Sequence, residues 1–262
     1  MPSHKGSTRK EIVTCIPTRV KAYNDTNDVY NKAYASFSTE RASGISRLDG
    51  IEGWLSSEAT TPCIMKLLKK YGMDCRGSEL VSSNKFTSNL KDIPKMVNVQ
   101  VISGFKIPTG GLNVPIEGNN VEKEIRNLFD YCGSPGIFSQ SGGFVIGSKV
   151  AHCILPDLCP MLDGKHIAIS LYNVASDEYL PPRDNWDSYL GRKVNPVVNP
   201  SPRGAGRDYW DSNRFTQAIA FFERIYSDWQ IANSNPGLAA FLELDSVVGT
   251  TGVPRILDKV LW

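Results

Sequence analysis

Helix-start signals in this chain are repeatedly followed by an apolar stripe of helical period, and that pairing most limits what it can fold into. Asn120 is followed by Val121, Ile125, Leu128 and Phe129, and the stripe stops at Gly133. Thr61-Pro62 is followed by Ile64, Leu67, Leu68 and Tyr71, with Gly72 as the stop. Apolar side chains three and four apart share one helix face. A polar N-cap takes up orphan amides, Pro suits the first turn, and Gly permits a left-handed exit. The same reading predicts a helix over 27–42 (Val29, Tyr30, Ala33, Tyr34, Phe37), capped by Asp25-Thr26-Asn27 and closed before Gly44. It predicts a short helix over 49–56 and a weaker one over 78–90. Towards the C-terminus, Asp211-Ser212-Asn213 opens a helix carrying Phe215, Ile219, Phe222, Ile225, Tyr226 and Trp229. Pro236-Gly237 opens another with Leu238, Phe241 and Leu242, and Gly252-Val253-Pro254 opens the last with Ile256, Leu257, Val260 and Leu261. Only Val97, Val99 and Val101 alternate, predicting one or two short strands or an extended loop within 93–118.

Residues 1–24 read as a flexible basic arm, and 25–262 as one helical domain or as two lobes over 25–135 and 136–262. A long irregular loop is expected over 179–214, where prolines and glycines cluster. With 41% hydrophobic residues the 262-residue chain can bury a sizeable core. A formal net charge of +2 excludes an overall basic coat, though not a local basic patch. No apolar run approaches the roughly 20 residues of a membrane-spanning helix, so no membrane association is expected. The polar N-terminus has no signal-type apolar region. Six dispersed cysteines then suit reduced thiols in a reducing intracellular compartment, cytoplasm or nucleus.

The segment carrying chemistry is 138–174. A glycine-rich turn, Gly142-Gly143-Phe144-Val145-Ile146-Gly147, precedes a helix expected to start at Ser148-Lys149, with Ser148 as N-cap. Free amides at such a turn, together with the positive end of the helix dipole, suit a phosphate. A lysine in that first turn is disfavoured as a cation, and a lysine of lowered proton affinity is an amine nucleophile. Pro156 and Pro160 end the helix, and Asp163-Gly164 starts another. Asp163 then stands as a carboxylate beside the apolar stretch Cys159-Pro160-Met161-Leu162, placed to stabilise positive charge.

At Gly147-Ser148-Lys149-Val150-Ala151-His152-Cys153-Ile154 the segment resembles the helix-hairpin-helix DNA glycosylase superfamily, with Asp163 and His166 similar in placement to that family's Asp and the His after it. The resemblance implies a mostly helical fold and double-stranded DNA as partner. It makes Lys149 the Schiff-base nucleophile and Asp163 the catalytic carboxylate. Gly142, Gly143, Gly147, Ser148 and His166 would lie at the DNA. The hairpin is longer than the family's, the Lys-to-Asp interval is shorter, and no cysteine follows Cys159 to build an iron–sulfur loop. The fold expected is therefore mostly α, a multi-helix globular bundle with a helix-hairpin-helix-like element and at most one or two short strands. The function expected is DNA binding, with base-excision glycosylase/lyase chemistry as its mechanistic form. The alternative is a non-enzymatic helical scaffold or interaction protein. No cofactor is implied.

Other constellations weigh less. His152, Cys153, Cys159 and His166 lack the Cys-x₂₋₄-Cys pair of structural zinc sites, so no metal is expected; they read as buried thiols and a solvated histidine. The 179–214 loop mixes Arg183, Arg192, Lys193, Arg203, Arg207 and Arg214 with four aspartates and with Tyr179, Trp186, Tyr189, Tyr209 and Trp210. It reads either as a stacking surface for an unstacked base or as a self-packed surface loop. Arg255, Asp258 and Lys259, with Glu243 and Asp245 near in sequence, read as structural ion pairs. No phosphate-binding GxxxxGK[ST] loop, GxSxG elbow or HExxH pair is present.

Overall fold

A stripe at Ile12, Val13, Ile16, Val20 and Tyr23 is fully buried along the first helix, α1 (Arg9–Thr26). The computed structural model describes residues 9–74, 79–107, 112, 114–116, 119–162, 212–245 and 252–261. The expected flexible arm is thus corrected from residue 9 onward. Pro17 lies on the exposed side of α1.

The helices that follow are α2 (Asp28–Arg47), α3 (Ile51–Ser56), α4 (Thr60–Lys70), α5 (Ser83–Met96) and α6 (Val99–Ile102). Helix α2 runs through Gly44 instead of stopping before it, because the Trp54 indole packs there. A Cβ on Gly44 would lie 2.5 Å from Trp54 Cδ1. The valine alternation over 97–101 forms no strand. Asn98 accepts from Val101 N–H, and α6 buries Val99 and Ile102 as a single turn. The extended elements are β1 (Pro115–Ile116) and β2 (Asn119–Asn120), paired antiparallel with Pro115 opposite Asn120.

Asn120 then caps α7 (Val121–Gly133), accepting from Lys123 N–H at 2.8 Å as its sequence foretold. Helix α8 (Phe144–Ile154) follows after residues 134–143. The C-terminal helices are α9 (Ser212–Ala232), α10 (Leu238–Leu242), continued by the 3₁₀ turn Glu243–Asp245, and α11 (Val253–Leu261). The described residues are mostly helical, with the two-strand ribbon as the sheet component. None of their helices is long and apolar enough to cross a membrane.

Helix α8 is the centre of the packing. Every residue from Ile146 to Ile154 is buried, so this helix meets neighbours on all sides. It packs on α7 and α4, while α1 packs on α9 and α11, and α9 on α7. One contiguous apolar core joins these elements from Ile12 to Leu261. The 179–211 part of the predicted loop lies outside the described residues.

Candidate functional site

The predicted phosphate-holding turn has another job here. Helix α8 starts at Phe144, behind Gly143, so Gly147 and Ser148 lie inside the helix and Ser148 is not its cap. The Ser148 hydroxyl donates to the Leu162 carbonyl (3.0 Å) and accepts from Leu162 N–H (3.2 Å). It ties the following segment to the helix. The glycines allow α7 and α8 to touch. A Cβ on Gly147 would approach Gly133 Cα to 3.1 Å, and Gly142, at φ +63°, faces the Gly133 carbonyl. Gly142 N–H donates to Ser139 Oγ (3.1 Å) and Gly143 N–H to Gly133 O (2.7 Å). Gly147 N–H donates to Gly143 O. The amides of all three predicted anion-binding glycines are therefore bonded within the turn and helix.

Lys149 moves as well. It sits in the second turn of α8, so the first-turn dipole argument no longer applies to it. Its side chain is 6% exposed, and its ammonium donates to the Tyr71 carbonyl at 2.7 Å. Tyr71 is the C-cap of α4, so Lys149 satisfies a helix-terminal carbonyl and meets the negative end of that dipole. Arg41 serves the other end of α8 in the same way, donating from Nε to Cys153 O (3.1 Å) and from Nη2 to Ile154 O. Asp163 and His166 lie outside the described residues, so the Lys149–Asp163 pairing is not placed.

His152 corrects the solvated reading. It is fully buried, with Nδ1 2.6 Å from Cys159 O and Nε2 2.8 Å from the Tyr34 hydroxyl. Both ring nitrogens are thus occupied. Among the described residues no cluster of histidine, cysteine and carboxylate side chains could hold a metal. Cys132, Cys153 and Cys159 are fully buried, which raises their thiol pKa values and keeps them un-ionised.

Burial pushes the pKa of His152 down to about 3, and Arg255 and Arg41 add to that shift against the Cys159 hydrogen bond. The unfolded chain therefore binds a proton near pH 6.5 that the folded chain refuses until far lower pH. Stability from the neutral ring is complete above that range and is lost as pH falls, at about 1.4 kcal/mol per unit. Urea unfolding at a series of pH values should show a loss of about 3 kcal/mol between pH 6.5 and 4 that His152→Gln removes. An unchanged slope in the variant would assign the loss to other groups.

The cluster that sequence reasoning missed surrounds α11. Arg255 is 2% exposed, and its guanidinium lies 5.3, 4.9 and 5.6 Å from the ring centres of Tyr23, Tyr34 and Tyr71. Its Nη2 donates to the Tyr23 hydroxyl at 3.3 Å. Lys149 Nζ lies 5.8 Å from the Tyr71 ring centre, so two cations share one ring. Three rings around one desolvated guanidinium make a favourable electrostatic seat. Burial raises the Tyr34 and Tyr71 pKa values and keeps both phenols neutral. One turn further on, Lys259 donates to both Asp245 oxygens (2.7 and 2.6 Å) and to Asn24 Oδ1 (2.8 Å), and both ion-pair side chains are fully buried. Asn24 Nδ2 donates to Asp245 (3.0 Å), and Asn31 Nδ2 to Asn24 (2.9 Å). The expected ion pairing in the last helix is thus present between Lys259 and Asp245, but in the interior. The visible signal was three charges, Arg255, Asp258 and Lys259, on an otherwise apolar helix.

Comparison of the chain with protein-family models, with curated proteins and with solved structures finds no match.

Proposed function

We propose that the chain is a DNA-binding helical protein of helix-hairpin-helix type in which Lys149 is a structural cation and not a Schiff-base nucleophile. The observation that carries this reading is the Lys149 ammonium, held 2.7 Å from the Tyr71 carbonyl on a helix buried on all sides. A nucleophilic amine must reach a sugar carbon, and this one is committed to closing α4. DNA binding itself rests on the resemblance at Gly147–Ile154 and on the paired helices α7 and α8 that flank the glycine contact. The amides of Gly142, Gly143 and Gly147 are bonded internally and so are not the phosphate donors.

The test uses the full chain and a duplex carrying an abasic site. Fluorescence anisotropy should give binding whose log K falls linearly with log salt, and borohydride should trap no covalent adduct. An adduct that Lys149→Met abolishes would restore the lyase mechanism. Binding absent at every salt concentration would end the DNA reading. It would leave the second reading, a helical scaffold or interaction protein, which the spent hairpin amides favour.

A further inference from the structure

Helix α4 turns Ile64, Leu67 and Leu68 into the core, and its opposite face carries cations. Pro62, Lys66, Lys69 and Lys70 are its exposed residues, at the i, i+4, i+7 and i+8 positions of one helix face. From Lys66 to Lys70 is about one turn, a rise of about 6 Å. With Met65, and with Ser83 at the start of α5, these side chains line an open cleft of about 560 Å³. The Ser83 hydroxyl lies 3.7 Å from the Met65 sulfur, so the floor of the cleft joins the two helices. Among the described residues no carboxylate lines it.

The fold does not consume these three charges. The C-cap carbonyl of α4, Tyr71 O, is taken by Lys149. Lys66 Nζ lies 3.7 Å from Glu40 on α2, and Lys69 Nζ 3.2 Å from Asp74 beyond the end of α4, with all four side chains exposed. Exposed pairs of this kind contribute little and exchange one anion for another readily. Lys70 makes no hydrogen bond or ion pair among the described residues. On the far side of Lys70, Lys32 of α2 is matched by Asp28 of its own helix at 2.7 Å and is not counted with the three.

The same face lacks apolar anchors. No large apolar side chain of α4 is exposed. A helix that lies on a membrane inserts such side chains, and a partner helix docks through them. What α4 offers is a compact row of ammonium groups, the complement of the closely spaced phosphates of a nucleic acid. We propose that the Lys66, Lys69 and Lys70 face of α4 is the surface on which the phosphate backbone of duplex DNA lies. The proposal rests on the DNA-binding reading above and gives it the phosphate donors that the glycine turn does not supply. Helix α4 packs on α8 and is tied to it by Lys149, so this face stands one helix removed from the buried 144–154 segment. Contacts to phosphate carry no base information, so binding through it is independent of sequence.

Fluorescence anisotropy of the full chain with a labelled duplex of about 20 base pairs, over a salt series, tests it. The triple variant Lys66→Gln, Lys69→Gln, Lys70→Gln loses three ammonium groups. Its slope of log K against log salt should become shallower by about 2–3, and binding at about 0.1 M salt should weaken about a hundredfold. A control triple, Lys21→Gln, Lys95→Gln, Lys123→Gln, removes the same charge from exposed positions on α1, α5 and α7 and should keep most of the wild-type slope. All six side chains are exposed, so both variants should melt as wild type does. Equal weakening in the two triples assigns binding to overall charge, and an intact slope in the α4 triple places the DNA elsewhere. Either result overturns this face and leaves DNA binding standing. Absence of wild-type binding at every salt concentration overturns the DNA reading and this face with it. Wild-type binding to phosphatidylserine vesicles but not to the duplex, lost in the α4 triple, overturns the choice of partner and assigns the face to a membrane surface.

Discussion

Asp245→Ala should remove about 4 kcal/mol of stability, because it takes the counter-ion from a Lys259 amine whose pKa burial already pushes down to about 8 and leaves that group either charged and unpaired or neutralised at a cost. The pair is fully buried, with both carboxylate oxygens within 2.7 Å of Nζ, and Asn24 bridges the two groups. Breaking one partner costs far more than the pair itself contributes, since the desolvation penalty of the survivor is no longer offset. Replacing both partners together, Asp245→Leu with Lys259→Met, should recover most of the loss, because no charge is then stranded. Chemical denaturation of the two single variants and the double variant measures this directly. A loss below about 1 kcal/mol in Asp245→Ala would mean that water reaches Lys259 and that the enclosure described here is wrong.

The second large effect belongs to Gly142. Its φ of +63° already disfavours a side chain, and an added Cβ would sit 2.6 Å from Gly133 O and Pro135 N, both backbone atoms that cannot swing away. Gly142→Ala should therefore cost about 4 kcal/mol, from strain plus the forced separation of α7 and α8. Gly143 provides the control. It has φ +107° with open space around its Cβ position, so Gly143→Ala carries backbone strain alone, about 1–3 kcal/mol. Equal losses in the two variants would show that the close approach to Gly133 contributes nothing.

What was legible in the sequence is what local chemistry decides. Helices α4 and α7 were read nearly to the residue, because each has its start signal, stripe and stop within a dozen positions. Helix α1 lies where the basic character of residues 1–24 reads as a flexible arm, and the buried stripe at Ile12, Val13, Ile16, Val20 and Tyr23 overrides that composition. Gly44 was misread as a stop because its reason for being glycine is Trp54, a tertiary contact. The valines at 97–101 carried a strand signal that Asn98 and the burial of Val99 and Ile102 overrode. At the candidate site, the position of Lys149 on a helix behind glycines was readable, but its partner, the Tyr71 carbonyl, is 78 positions away. The gathering of Tyr23, Tyr34 and Tyr71 about Arg255 depends on how α11 docks against α1 and α2, and no local pattern encodes that.

The bond from Arg255 to Tyr23 spans 232 positions. Bringing partners so distant together must overcome a large loop-closure entropy before any contact rewards it. During ribosomal synthesis the tyrosine face of α1 and α2 therefore waits uncovered until α11 has emerged. Up to that moment the nascent chain presents an aromatic surface of the kind chaperones recognise.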